Sequence, residues 1–402
     1  MNWKTIELIN LCKVFQDGDW IESKDQSTSG IRLIQTGNVG IGIFRDKSEK
    51  ARFISGDTFV RLNCNEIFPN DCLVSRLPDP VGRACLLPDI GNRMITAVDC
   101  TILRFNETKI LPKFFIYYTQ SNKYLYDVDK NTTGTTRKRI SKQNLSKIKI
   151  PIPPLPEQQR IVDILDQSFA AIEQAIENTE KNSSNVKDLY VINLESIFTK
   201  PEFYWKKEKL GKICKLVRGP FGGSLKKSYF VKDGYAVYEQ SHAISNQFHK
   251  IRYFISDTKF EEMKRFEIKP GDLIMSCSGT MGKVAIVPDN AKKGIINQAL
   301  LKITPNDCII NEYLKYWMES ADFQLKLDEF AMGAAIKNVA SVGILKEIIV
   351  PVPSIENQRN TIIKIKKLVE NTKDLEKEYL NKLGLLQELK QSILHKAFTG
   401  EL

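Results

Sequence analysis

Three consecutive cations, Arg137-Lys138-Arg139, directly follow a Gly134-Thr135-Thr136 turn. That composition suits a phosphate clamp: the cations supply charge, while hydroxyls and backbone amides near glycine supply close donors. A solvated charged loop is the other reading of the same hexapeptide. Arg76, Arg83 and Arg93 flank expected strands and are weaker candidates for the same chemistry. About 200 residues on, Met332-Gly333-Ala334-Ala335-Ile336-Lys337-Asn338 keeps the glycine but retains one cation, Lys337.

Other segments offer small polar groups that would let a ligand approach the backbone closely. They are the run from Ser276 through Ser278 to Lys283 and the pair Asn297-Gln298. A glycine-rich stretch, Gly219-Pro220-Phe221-Gly222-Gly223-Ser224, runs on to Lys226, Lys227 and Tyr229. It reads as a phosphate-approaching loop or as a plain turn. Phe221 and Tyr238 are expected in the core. Arg, Asn, Gln and Ser are the side chains that read base edges, whereas Lys and Arg in loops grip phosphates.

Catalytic signatures are missing from the sequence. It contains no G-x-x-x-x-G-K-[ST] loop, no G-x-S-x-G elbow, no H-E-x-x-H pair and no Asn/Asp-Pro-Pro-Tyr/Phe tetrapeptide. Eight scattered cysteines without a C-x-x-C pair, and three histidines, give no expected metal site. Reduced, partly buried thiols are the expectation. The chain reads as a binder.

What positions these loops is a duplication. Lys149-Ile150-Pro151-Ile152-Pro153-Pro154-Leu155-Pro156-Glu157-Gln158-Gln159-Arg160 matches Ile349-Val350-Pro351-Val352-Pro353-Ser354-Ile355-Glu356-Asn357-Gln358-Arg359, with one residue dropped. Trp3-Lys4 pairs with Trp205-Lys206, and Phe198-Thr199 with Phe398-Thr399. Before each proline seam lie short β-rich runs separated by Gly and Pro turns, such as Ile31-Arg32-Leu33-Ile34, Cys72-Leu73-Val74-Ser75 and Tyr235-Ala236-Val237-Tyr238. Helical stretches are expected near residues 112–121 and 312–329. Each block reads as an α+β domain with an irregular, mostly antiparallel sheet.

After each seam the texture changes. Residues 157–198 hold neither Pro nor Gly, and 356–398 hold only Gly384. Apolar residues recur at three- and four-residue steps: Ile161, Leu165, Ile172, Ile176, Val186, Leu189 and Asn193 in the first stripe. The second stripe is read as Leu368, Thr372, Leu375, Tyr379, Leu386, Leu389 and Ile393, with Lys382 in one inward slot. Each helix would run roughly 60 Å at 1.5 Å per residue. A helix with one apolar stripe needs a partner, and its counterpart in the other repeat is the obvious one, in an antiparallel pair. The polar stretch 181–185 is expected to weaken the first stripe and to mark a bend or break. The expected domains are 1–155, a first spacer helix 156–200, a second domain 201–353 and a second spacer helix 354–402.

Charge follows this division. The net charge of +11 is concentrated in residues 1–150, with 23 Lys and Arg against 16 Asp and Glu, and in 201–350, with 23 against 17. Residues 151–200 hold 4 against 8 and 351–402 hold 9 against 7, so the excess is not a basic tail. Two basic globular blocks suit two contacts with a polyanion, because clustered cations release counterions from phosphates; general solubility is the other reading. No apolar run reaches membrane-spanning length and the first residues have no signal-peptide pattern, so a soluble cytoplasmic chain with no membrane partner is expected.

The Ile-Pro-x-Pro…Glu-x-Gln-Arg seams, the long helices and the terminal segment Leu389-Lys390-Gln391-Ser392-Ile393-Leu394-His395-Lys396-Ala397-Phe398-Thr399-Gly400-Glu401-Leu402 together resemble the specificity subunit of type I restriction-modification systems. The resemblance spans essentially the whole chain, with mild departures at Ser354 and Asn357. It implies two target recognition domains, each reading one half of an asymmetric bipartite site in double-stranded DNA. The antiparallel helices would fix the unread spacer and dock two methyltransferase subunits, through seam residues such as Glu157, Gln159, Arg160, Glu356, Gln358 and Arg359. Those partners would hold S-adenosylmethionine and methylate adenine at N6. Separate restriction subunits would supply ATP- and Mg-dependent translocation and cleavage. The chain itself would bind no cofactor and catalyse nothing. Two rivals remain at this point: a stand-alone duplicated nucleic-acid-binding or scaffolding protein, and a self-sufficient nuclease or methyltransferase.

Overall fold

A computed structural model describes residues 3–134, 137–199, 205–331, 339 and 341–402. The chain forms two compact units, residues 1–180 with 380–402, and residues 181–379.

In the first unit, a four-stranded antiparallel sheet runs in the order Cys12–Asp17, Cys100–Phe105, Cys72–Ser75, Ala84–Leu86. A five-stranded sheet follows the order Gln26–Ser27, Arg52–Ile54, Ile31–Ile34, Met94–Thr96, Glu66–Ile67, with one parallel pairing between Ile31–Ile34 and Met94–Thr96. The strands are short because polar turn residues interrupt β-branched runs every few positions, as the spacing predicts. The second unit repeats the plan. Its four strands are Cys214–Arg218, Leu300–Pro305, Leu273–Ser276 and Val284–Ile286; its five-stranded sheet again has one parallel pair, Tyr235–Tyr238 with Gly294–Ile296.

A two-stranded ribbon closes each domain. Lys4–Glu7 pairs with Lys149–Ile152, and Lys206–Lys209 with Ile349–Val352. Pro151 and Pro351 sit opposite Thr5 and Lys207 in these ribbons, a tolerated place for a residue without an N–H because both strands are edges.

The expected helix at 112–121 is Pro112–Tyr118, followed by Asn122–Lys130 with Ser121 as its N-cap. The expected helix at 312–329 is likewise two, Asn311–Glu319 and Ala321–Ala331. Between them the Ser320 hydroxyl donates to the Trp317 carbonyl at 2.6 Å, diverting an acceptor from the helical ladder.

The two long helices are Leu155–Thr199 and Ile355–Thr399, 45 residues each. In the first unit Ile161, Val162, Leu165 and Phe169 share a core with Leu394 and Ala397. Direction is read from two contacts in this unit: Arg160 donates to the Leu402 carbonyl at 3.1 Å, while Lys390 lies 3.5 Å from Glu173. Residue numbers rise along one helix as they fall along the other, so the segments are antiparallel. In the second unit Leu194 and Phe198 share a core with Ile362 and Ile365. The polar stretch 181–185 does not break the first helix. Thr179 is buried with its hydroxyl donating to Ala175 O at 2.6 Å, and Ser183 and Val186 continue the inward stripe.

Parts of the expected stripes shift by one position. Leu189, Leu375 and Leu389 are exposed, as are Asn193 and Lys382, while Tyr190, Leu194, Val369, Leu383 and Lys390 lie inward. Lys390 fits an inward slot because its ammonium lies 4.4 Å over the Phe169 ring and its stem packs with it. Among the described residues no helix is long and apolar enough to cross a membrane.

Candidate nucleic-acid interface

In the first domain the basic loop caps a small ribbon, Thr132–Thr133 against Arg139–Ile140. Gly134 has φ +100°, and a Cβ there would lie 2.5 Å from the Arg137 carbonyl, so the turn requires glycine. Thr135 and Thr136 lie outside the described residues. Arg137 is exposed and makes no ion pair among the described residues. Lys138 meets Asp129 at 2.8 Å across exposed surface, and Arg139 meets half-buried Asp99 at 2.8 Å. The exposed Lys138–Asp129 pair is weak, so a phosphate can compete for that ammonium.

Arg76 and Arg83 are not on this surface, which corrects the sequence reading. Arg76 is buried, donating to Val98 O at 2.6 Å and meeting Asp17 at 3.0 Å. Arg83 is buried and donates to the carbonyls of Val39 and Leu77 at 2.7 Å, Thr36 at 2.9 Å and Pro80 at 3.0 Å. Desolvation pulls both guanidinium pKa values down. Both arginines tie loops together: Arg83 spends its donors on four backbone carbonyls, and Arg76 on one carbonyl and the Asp17 carboxylate. Arg93 is exposed but forks onto Glu66 through two 2.8 Å bonds.

In the second domain Gly222 and Gly223 open a 3-10 turn, Gly222–Leu225, followed by exposed Lys226, Lys227 and Tyr229. The Lys259 ammonium sits 4.3 Å over the Tyr229 ring. Lys283 and Gln298 are exposed and Ser278 is half-buried. Ser276 is buried, its hydroxyl accepting from the Lys283 amide at 3.0 Å, so it shapes the turn and cannot meet a ligand. Asn297 is half-buried, its Oδ1 accepting from the Ala299 amide at 3.0 Å. Gly333 and Lys337 lie outside the described residues.

These loops converge at one end of each four-stranded sheet. In the first unit Val98 donates to Asp19 O at 2.9 Å and Asp19 to Thr96 O at 2.8 Å, which sets the 18–20 turn beside Asp99 and its partner Arg139. A Cβ on Gly18 would lie 2.3 Å from Thr96 O, and one on Gly219 would lie 1.8 Å from Asn297 O. The same crossing is therefore built twice, and only glycine permits it. Phe221, expected in the core, is exposed, whereas Tyr238 is buried as expected. Trp20 is exposed at the equivalent place in the first domain. The signal that would have found it is the glycine two residues earlier in each copy.

At the seams, Glu157 and Arg160 pair at 2.8 Å, Gln159 donates to Asp163 at 2.8 Å, and Glu356 and Arg359 are exposed. Gln358 is different and corrects another expectation. It is fully buried, accepts from the Ile310 amide at 2.8 Å, and donates to Cys308 O and Pro353 O at 2.9 Å. Gln158, not singled out from sequence, repeats this with Leu111 N at 2.9 Å, Lys109 O at 3.0 Å and Pro153 O at 2.9 Å. Each glutamine fastens its domain to the start of a long helix.

With Arg137 the most available cation, replacing it by alanine is expected to reduce the slope of log affinity for duplex DNA against log salt by about 0.9. Replacing Lys138 and Arg139 as well should reduce it further and weaken binding to all sequences. An unchanged slope in a salt titration removes the clamp.

A family model described as the type I restriction modification DNA specificity domain matches the chain twice, over residues 1–182 and 204–385. The chain is similar to the type I restriction enzyme EcoBI specificity subunit of Escherichia coli, 25% identical over 361 residues, covering 84% of this chain and 74% of that protein. Among solved structures, it resembles a chain from work on complex assembly and conformational transition of the type I R-M system. The TM-score is 0.73 at 17% identity, covering 100% of this chain and 98% of that one. It also resembles the HsdS subunit of Thermoanaerobacter tengcongensis, with TM-score 0.64 at 16% identity, covering 100% and 97%.

Proposed function

Because the chain belongs to the type I restriction modification DNA specificity family, we propose that each of its globular domains reads one half of an asymmetric, bipartite DNA site for a methyltransferase and a restriction nuclease carried by other subunits. The observation that carries this reading is the double match of the family model, 1–182 and 204–385, to two domains of one topology. The loops at the sheet ends differ between the copies while the scaffold does not, as two different half-sites require. Arg137, Lys138 and Arg139 grip phosphates in one domain and Lys226, Lys227 and Lys283 in the other.

The long helices set the length of the unread spacer. Their outward apolar residues, Leu380, Leu385 and Leu389 in the first unit and Leu189, Ile192 and Ile363 in the second, supply surface for two docked methyltransferase subunits. Those subunits hold S-adenosylmethionine and modify adenine N6, and the assembly works on cytoplasmic DNA. Within it this chain supplies recognition and no catalysis.

The test is co-expression with the genome-adjacent methyltransferase, purification of the complex, and mapping of N6-methyladenine in host DNA. The expected result is a stable complex of two methyltransferase subunits per chain and one bipartite, asymmetric methylated motif. Failure to form the complex favours the stand-alone binding protein. Methyl transfer or cleavage by the purified chain alone favours the self-sufficient enzyme.

A further inference from the structure

Trp20 and Phe221 are 71% and 70% exposed, although aromatic side chains of this size bury 150 Å² or more in a core, by general estimate. They occupy the same place in the two domains. Each lies two residues after the glycine, Gly18 or Gly219, whose missing side chain lets the chain cross the Thr96-Ala97 or Asn297-Gln298 backbone. Coincidence is a poor account of two large exposed aromatics on one duplicated, sterically constrained turn. The turn pins the backbone and leaves the ring projecting.

A cation stands beside the Phe221 ring, and the turn that carries Trp20 lies near one. In the first domain the turn abuts Asp99, which holds Arg139 of the basic loop at 2.8 Å. In the second the Arg218 guanidinium lies 6.0 Å from the Phe221 ring centroid, and Lys226 and Lys227 follow in the same loop. The carboxylates flanking Trp20 are engaged: Asp17 with Arg76 at 3.0 Å, Asp19 with the amide and side chain of Asn65 at 2.9 Å, and Glu22 with Lys24 at 2.8 Å. Glu22 also accepts from the Trp20 indole N–H at 3.4 Å, a long exposed bond that holds the ring only lightly.

Resting on the specificity-subunit reading, we propose that Trp20 and Phe221 are a matched pair of base-stacking wedges, one per half-site. Each inserts at a base step while the neighbouring cations hold the adjoining phosphates. Insertion partly unstacks the duplex, which adds selectivity for steps that open easily, without any hydrogen bond to a base. It also eases removal of a nearby base from the stack, which an enzyme that modifies a base within a duplex requires.

The probe is the assembled complex with its methyltransferase and a duplex carrying the methylated motif mapped in the host. Of the four tryptophans, Trp317 is buried and Trp3 and Trp205 are half-buried, so Trp20 is the exposed fluorophore. The motif duplex is expected to quench its emission, and W20F is expected to abolish the quenching. In a W20F background, F221W should restore it from the other half-site. W20A and F221A should each weaken binding about 10- to 100-fold, as loss of one base–aromatic stack does, with unchanged melting temperature. W20F should retain most of the affinity, and 2-aminopurine, which brightens when unstacked, should lose its brightening in one half-site with W20A and in the other with F221A. Binding within twofold of wild type for both alanine variants, with Trp20 emission indifferent to the motif, overturns the wedge and leaves the specificity reading intact. A wild-type complex without sequence-specific binding overturns both.

Discussion

A Gln158→Leu chain is expected to lose about 3–6 kcal/mol of stability in its first unit, and Gln358→Leu a similar amount in its second. Leucine nearly preserves the side-chain volume but leaves one amide and two carbonyls without their partner at each seam, the Pro153 and Pro353 carbonyls being buried. Each orphaned group costs about 1–3 kcal/mol, so the summed effect rivals the whole stability of a typical domain. Gln→Glu separates the roles, since a carboxylate still accepts from Leu111 or Ile310 but cannot donate to the carbonyls as an ion. It should fall between wild type and leucine. Urea unfolding followed separately in each unit checks this, and a loss under about 1 kcal/mol for both leucine variants would show that water replaces the amide.

The second large effect concerns the helices. Inserting seven residues into each, near residues 181–184 and 379–381, keeps the apolar stripes in phase because the inward positions recur with a 3.5-residue period. Both helices lengthen by about 10.5 Å at 1.5 Å per residue, close to three base pairs at 3.4 Å per step. Methylation of the original motif is expected to be lost, and a motif with the same half-sites and about three more spacer base pairs should gain it. Altered half-sites would defeat the spacer assignment. Inserting seven residues into one helix only leaves residues without partners and should lower stability instead.

The domain frame was legible because duplication makes two independent readings of one pattern. Short apolar runs between Gly and Pro turns located Ile31–Ile34, Cys72–Ser75 and Tyr235–Tyr238 as strands. Helix register was half legible. Leu368, Thr372, Tyr379, Leu386 and Ile393 lie inward as read, but the alternate inward row continues through Val369, Glu376, Leu383 and Lys390, not Leu375, Lys382 and Leu389. By composition the expected row is the more apolar, since the observed one holds Glu376 and Lys390, so packing and not composition chooses between them. Burial of charge was not legible at all. Arg76 and Arg83 carry the same letter as Arg137, yet loops 36–39 and 77–80 close around Arg83 and turn it into internal scaffolding. Phe221 failed in the opposite sense, since an aromatic near strands is usually core.

The division of the chain into units has a bearing on synthesis. Residues 181–379 are contiguous, so the second unit holds all its parts once they have left the ribosome. The first unit needs residues 380–402, with Phe398 packing edge-on against Phe114 and Tyr118 at 5.3 and 5.1 Å. Made first, it is finished last. Until residues 394–397 have been made, Ile161, Leu165 and Phe169 lack the Leu394 and Ala397 contacts that complete their core, and a nascent chain in that state is a natural client for a chaperone.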